Sequence, residues 1–180
     1  MSEVETKKPR GRETAGDMVR SLGLVLAGVL VIWWLAQPPD TDEQRIRVVD
    51  PAPALSAFAA DVPQAPVPGF LPAQWRPTSA SLTGDPTALR VGYVTPSERY
   101  AEYAASTGPQ EDVLAELAGT GARRLEPVQA AGVTWEQYED EDGSLSLVRT
   151  YGQATVVLGS KRASAPLAEL RTLAESLTTR

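Results

Sequence analysis

The chain contains neither cysteine nor histidine. The missing cysteines exclude disulfides, thiolate metal sites, thiol nucleophiles and dithiol redox chemistry together. The missing histidines remove the commonest metal ligand and the side chain best suited to proton transfer near neutral pH. Neither a Ser-His-Asp triad nor a structural zinc site of the usual kind can be assembled from this composition. Gly-rich phosphate loops are also absent, and Ser79, Ser81 and Ser146 have no visible base to activate them. Paired-carboxylate glycoside hydrolysis usually needs a deep cleft and a larger fold. No enzymatic activity, cofactor or metal is therefore expected.

Positive charge is also scarce. The formal net charge is −6. Up to Arg20 the five basic residues outnumber the four acidic ones, whereas the rest of the chain carries an excess of seven acids. An acidic domain repels phosphate backbones, so nucleic-acid binding lacks its main driving force.

The apolar residues are concentrated. From Ser21 to Pro39 no residue is charged. A helix over Met18–Gln37 would be roughly 30 Å long at 1.5 Å per residue, matching the hydrocarbon thickness of a bilayer. Arg20 would snorkel at one end, Trp33 and Trp34 would sit at the opposite interface, and Pro38 and Pro39 would stop the helix. A buried core helix apolar on every face is rare in so small a protein. A cleaved signal peptide would need small residues before the cut, yet cleavage after Ala36 places Trp34 at the third position back. The expectation is an uncleaved single-pass anchor in the plasma membrane. The bias of lysine and arginine puts its N-terminus in the cytoplasm and the acidic bulk outside. Gly23 and Ala27 have the small-xxx-small spacing that lets two such helices approach, which allows a homodimer.

Nine of the 15 prolines fall between Pro38 and Pro77. Residues 38–70 accordingly read as a proline-rich stalk, with two helical turns between Ala54 and Ala60 and extended backbone around Pro63, Pro66 and Pro68. Such a spacer holds a domain clear of the head groups, though it could also pack along it. The expected organisation is a tail over 1–17, a membrane helix over 18–37, the stalk, and an extracytoplasmic domain over 71–180.

Within that domain the pattern reads as α+β, an antiparallel sheet with helices packed on it. Strands are expected over Arg76–Leu82, Ala88–Thr95, Val133–Tyr138, Ser144–Tyr151 and Ala154–Gly159. Gly84-Asp85-Pro86, Asp142-Gly143 and Gly152-Gln153 supply the turns. Arg99–Ser106 suits either a strand or a helix, and the strand is preferred. Pro109 opens a helix with Val113, Leu114, Leu117 and Ala118 on its apolar stripe, and Ser164 caps a last one carrying Leu167, Leu170, Leu173 and Leu177.

Several short motifs carry a likeness: Asp17-Met18-Val19-Arg20-Ser21-Leu22, Leu71-Pro72-Ala73-Gln74-Trp75-Arg76-Pro77-Thr78-Ser79, Gly132-Val133-Thr134-Trp135-Glu136-Gln137-Tyr138, and Ser146-Leu147-Val148-Arg149 followed by Thr155-Val156-Val157-Leu158-Gly159-Ser160. Through them the chain resembles an actinobacterial family of uncharacterised membrane-anchored proteins with a short N-terminal span and an α/β exodomain. The resemblance implies a topology and no chemistry. The implied fold is similar to the sheet-and-helix sandwiches of certain photosystem extrinsic subunits and mycobacterial lipoproteins, a likeness that carries no function.

Trp75, Trp135 and Tyr138 are the candidate recognition aromatics, with Arg149 as an anion partner, since indoles stack on sugars and apolar ligands and arginine forks onto carboxylate or phosphate. For Trp135, which alternates with Val133 and Gln137, core packing is the competing role. The run Glu139-Asp140-Glu141-Asp142-Gly143 superficially suggests a calcium loop but lacks the distal bidentate glutamate, so a solvated hairpin tip is expected. Two functional classes survive. The first is a tethered, non-enzymatic module binding an envelope protein or membrane complex. The alternative is a lipid or glycolipid carrier, which would need an enclosed apolar cavity between sheet and helices.

Overall fold

The computed structural model describes residues 15–35, 48–160 and 165–179. The chain divides into two units, with the boundary between Arg45 and Ile46.

The first unit contains α1 (Ala15–Leu35), a 21-residue helix. It begins three residues before the expected Met18, while Ala36 and Gln37 lie outside the described residues. Its described apolar side chains, among them Leu24, Ile32 and Trp34, are all exposed. Among the described residues no helix is long and apolar enough to cross a membrane. A helix thus stands where the sequence puts one, and the described residues alone give the expected membrane span no support.

The second unit is an α+β domain. Its elements in order are α2 (Ala52–Asp61), β1 (Val67–Pro68), β2 (Arg76–Gly84), β3 (Thr87–Val94), β4 (Tyr100–Ser106), α3 (Gln110–Leu117), β5 (Arg123–Arg124), β6 (Val128–Ala130), β7 (Val133–Glu139), β8 (Leu145–Tyr151), β9 (Ala154–Gly159), α4 (Leu167–Glu175) and β10 (Leu177–Thr178). The main sheet runs β2-β3-β4-β9-β8-β7-β5, and β6 also lies against β7. Every pairing is antiparallel. Two meanders, β2-β3-β4 and β7-β8-β9, meet where Tyr103–Ser106 pairs with Thr155–Leu158.

The segment 100–106 is thus a strand, and its ambiguity in sequence has a physical origin. As a central strand it is covered on both faces, so six of its seven positions are buried and the polar–apolar alternation of a half-exposed strand is lost. Ser164 lies outside the described residues, and Pro166 takes the cap position of α4.

The two faces of the sheet are covered differently. On one face the main core packs Phe58 of α2 and Leu170 and Leu173 of α4 with Leu89, Tyr103, Trp135, Leu147 and Leu158 of the sheet. On the other, α3 lays Val113, Leu114 and Leu117 against Val148, Val157 and Tyr138. Among the described residues α3 contacts β9 most, and no element is packed over the β2-β3 end of this second face.

The stalk needs correction. Residues 38–47 are outside the described set, but 48–70 belong to the folded unit. Leu55, Phe58, Val62, Ala65 and Val67 are all in the main core. Val67 and Pro68 pair with Thr178 and Leu177, and the Tyr103 hydroxyl donates to the carbonyl of Pro66 at 2.8 Å. From Pro51 on, the prolines punctuate a chain that lies along the domain rather than a spacer that stands off from it.

Candidate functional site

The residues singled out from sequence are not gathered into one site. Trp75 is buried and meets Tyr93 edge-on at 6.0 Å between ring centroids. Trp135 is fully buried, edge-on to Tyr151 at 6.3 Å. Its indole nitrogen has no hydrogen-bond acceptor among the described residues. Arg149 stacks over the same Tyr151 ring at 5.4 Å and donates through Nη1 to the carbonyl of Thr134 at 2.5 Å. Tyr138 sits on the opposite face, packed against α3, and its hydroxyl donates to Glu136 at 3.0 Å. Trp75 and Trp135 thus serve the main core, Arg149 packs on Tyr151 beside it, and Tyr138 serves the α3 packing.

The acidic run forms a turn. Asp140 Oδ1 accepts the backbone N–H groups of Asp142 at 2.9 Å and Ser144 at 2.7 Å, which folds the β7–β8 connection around its own carboxylate. Among the described residues no cluster of three acidic side chains is placed to hold a metal ion.

The chemically richest place is one the sequence did not reveal, the open part of the face beside α3. A cleft of about 470 Å³ is lined by Arg90 of β3, Tyr100, Glu102 and Ala104 of β4, Glu116 and Leu117 of α3, and Val157, Gly159 and Ser160 at the end of β9. A second hollow of about 290 Å³ shares Arg90, Ala104, Glu116 and Leu117 and extends toward Ser81, Thr83 and Pro86. Because these four residues line both, the two hollows adjoin as one groove.

Register explains the convergence. Gly92 of β3 lies opposite Glu102 and Arg90 opposite Ala104, so Arg90 and Glu102 are diagonal neighbours on one face. Arg90 Nε donates to Glu102 Oε1, and Nη1 donates to Glu116 Oε1 at 2.9 Å. The Tyr100 hydroxyl donates to Glu102 Oε2 at 3.4 Å and is also bonded to Ser79. The Glu102 side chain is only 10% exposed, and the hydrogen bonds from Arg90 and Tyr100 satisfy its enclosed oxygens.

The electrostatics follow from the geometry. The hydrogen bond that Arg90 donates to Glu102 is the main reason that its guanidinium is held in its charged form more firmly than usual, with the charges of Glu102 and Glu116 adding to it. Burial, assisted by the charge of Glu102, raises the pKa of the Tyr100 phenol. The arrangement supplies fixed donors, acceptors and charge, which suit recognition.

Gly92 leaves the room for this network. A Cβ there would lie 2.6 Å from Ser79 Oγ and would also run into the Tyr100 hydroxyl. Gly92→Ala is therefore expected to push Tyr100 off Glu102 and to destabilise the domain by about 1–3 kcal/mol, the usual cost of overpacking. A denaturation midpoint together with the NMR shift of Tyr100 checks both effects, and an unchanged Tyr100 signal would contradict the expected displacement.

Comparison with known proteins adds a family without a chemistry. No curated protein and no solved structure matches the chain. A family model described as a protein of unknown function, DUF4245, matches residues 10–177, from before α1 to the first residue of β10. With nearly its whole length matched, the chain belongs to the DUF4245 family.

Proposed function

We propose that this chain is a membrane-tethered, non-catalytic interaction module whose domain lies outside the cytoplasm and binds an envelope protein or membrane complex. The observation that carries the reading is the filled interior. The space between the sheet and α2 and α4, where a lipid carrier would hold its cargo, is occupied by Phe58, Tyr103, Trp135, Leu147, Leu170 and Leu173, each essentially without solvent exposure. The open, polar-rimmed groove on the opposite face offers itself to a partner instead.

The tether is supported by α1. At 21 residues the whole helix is about 31 Å long, close to a hydrocarbon core, and apolar side chains exposed around it match a lipid surroundings better than water. The basic residues before Ser21 favour a cytoplasmic N-terminus.

In-cell crosslinking of the full chain followed by mass spectrometry tests the module, with alkaline carbonate extraction and a C-terminal reporter testing the tether. The expected result is a carbonate-resistant chain with its C-terminus outside the cytoplasm and a specific protein partner. Recovery of bound lipid without any protein partner would overturn the module in favour of the carrier. Release by carbonate would overturn the tether.

A further inference from the structure

Among the described residues the groove carries an excess of one negative charge, because Arg90 stands against both Glu102 and Glu116. The two carboxylates differ in availability. Glu102 is almost enclosed and bonded to both Arg90 and Tyr100. The Glu116 side chain is 66% exposed and accepts from Arg90 through Oε1, while its Oε2 accepts no hydrogen bond among the described residues. An anionic ligand would meet an arginine already neutralised twice. A single added cation would balance the site.

Shape narrows the choice of cation. Ala104, Val157, Gly159 and Leu117 give the cleft an apolar lining, with Glu116 on its wall. An alkyl stem laid along that lining with a compact ammonium head on Glu116 matches a lysine side chain, whose four methylenes bury well while the head keeps its charge-assisted hydrogen bonds. A free alkylamine would need only the one hollow. The groove continues into the second hollow, bordered by Ser81 and Thr83 of β2, the edge strand of the sheet. That extension gives room for the residues flanking a lysine in an extended chain.

The geometry points to this groove as a recognition site for a lysine side chain presented by an extended segment of a partner protein, an inference that rests on the interaction-module reading and names the chemistry of its partner. Glu116 receives the ammonium, Leu117, Ala104 and Val157 hold the stem, and the Arg90–Glu102–Tyr100 network keeps the floor rigid.

The test is an NMR titration of the full chain in nonionic detergent with three pentapeptides, valine and threonine flanking a central lysine, norleucine or glutamate. The lysine peptide is expected to give saturable shifts at Ala104, Glu116, Val157 and Gly159 that weaken with added salt, and the other two are not. Glu116→Gln, at an exposed position that leaves the fold intact, is expected to weaken binding by about three- to tenfold. Equal binding of the norleucine peptide, or no saturable shift with millimolar lysine peptide, would overturn the assignment. The crosslinking experiment fails separately: a partner captured through another face removes the lysine groove and leaves the module, whereas lysine binding without any captured partner removes the module.

Discussion

Replacing Phe58 with alanine is expected to destabilise the domain by about 3–5 kcal/mol, the usual cost of emptying a buried aromatic site. Phe58 lies in the proline-rich stretch yet has no solvent exposure and joins the main core with Leu55 and Val62. If the stretch were a spacer, the substitution would leave stability unchanged, because a side chain in solvent loses nothing on truncation. A guanidinium denaturation of the detergent-solubilised chain distinguishes the two outcomes. The helix is seated from both ends, by the N–H of Ala52 on Asp50 Oδ1 at 3.0 Å and by the β1–β10 pair beyond it, so little collapse is available to fill the cavity. A loss below about 1 kcal/mol, the range of ordinary surface changes, would contradict the packing.

Phe58 also marks where the sequence was opaque. Its apolar neighbours are spaced for a helix, but the surrounding prolines give a stronger local signal, and a stalk and an extended segment held against a domain share the same proline grammar. What separates them is tertiary: the hydroxyl of Tyr103 on Pro66 and the pairing of Val67 with Thr178 are contacts made across many residues of chain. Where local chemistry decides the conformation, the reading came close. The β9 strand falls on the expected Ala154–Gly159, and β7 and β8 differ from expectation by one residue, because glycine turns set their register directly. The two-residue strands β1, β5 and β10 carry too little pattern to be seen at all.

The candidate site was hidden for a related reason. Arg90, Glu102 and Glu116 come from three elements, and each alone reads as a solvated charge. Two traces were present in the sequence. A glutamate stands in the small apolar run Ala101–Ala105, and a glycine interrupts β3 at Gly92, as glycine does where another group approaches the backbone closely. Only the register that sets Gly92 opposite Glu102 turns those traces into a network. By contrast, Trp75 and Trp135 attract attention as aromatics, but their size is what draws them into the core.

The absence of histidine and cysteine shapes the pH dependence of the fold. No side chain has an ordinary pKa between about 5 and 8, so stability is expected to be flat across neutral pH and to fail on the alkaline side. Burial raises the phenol pKa of Tyr93 and of Tyr103 far above the ordinary 10.0. A group whose folded pKa is raised binds its proton more tightly in the folded state. The stability it contributes is complete below pH 10 and is lost as pH rises above that value, because the unfolded chain ionises first. Each such tyrosine costs about 1.4 kcal/mol per pH unit in that window, so the two together remove about 5 kcal/mol by roughly pH 12. Lysine contributes little to the effect, since the chain has only Lys7, Lys8 and Lys161. Denaturation midpoints at neutral and rising alkaline pH, with tyrosinate absorbance recorded alongside, test the expectation. The absorbance of Tyr93 and Tyr103 should appear only with unfolding, and Tyr93→Phe should recover about half of the share that these two contribute, Tyr100, Tyr138 and Tyr151 adding to the rest. Tyrosinate forming fully while the fold persists would show that these phenols are reachable by solvent, and would undo the account of the core on which the filled interior depends.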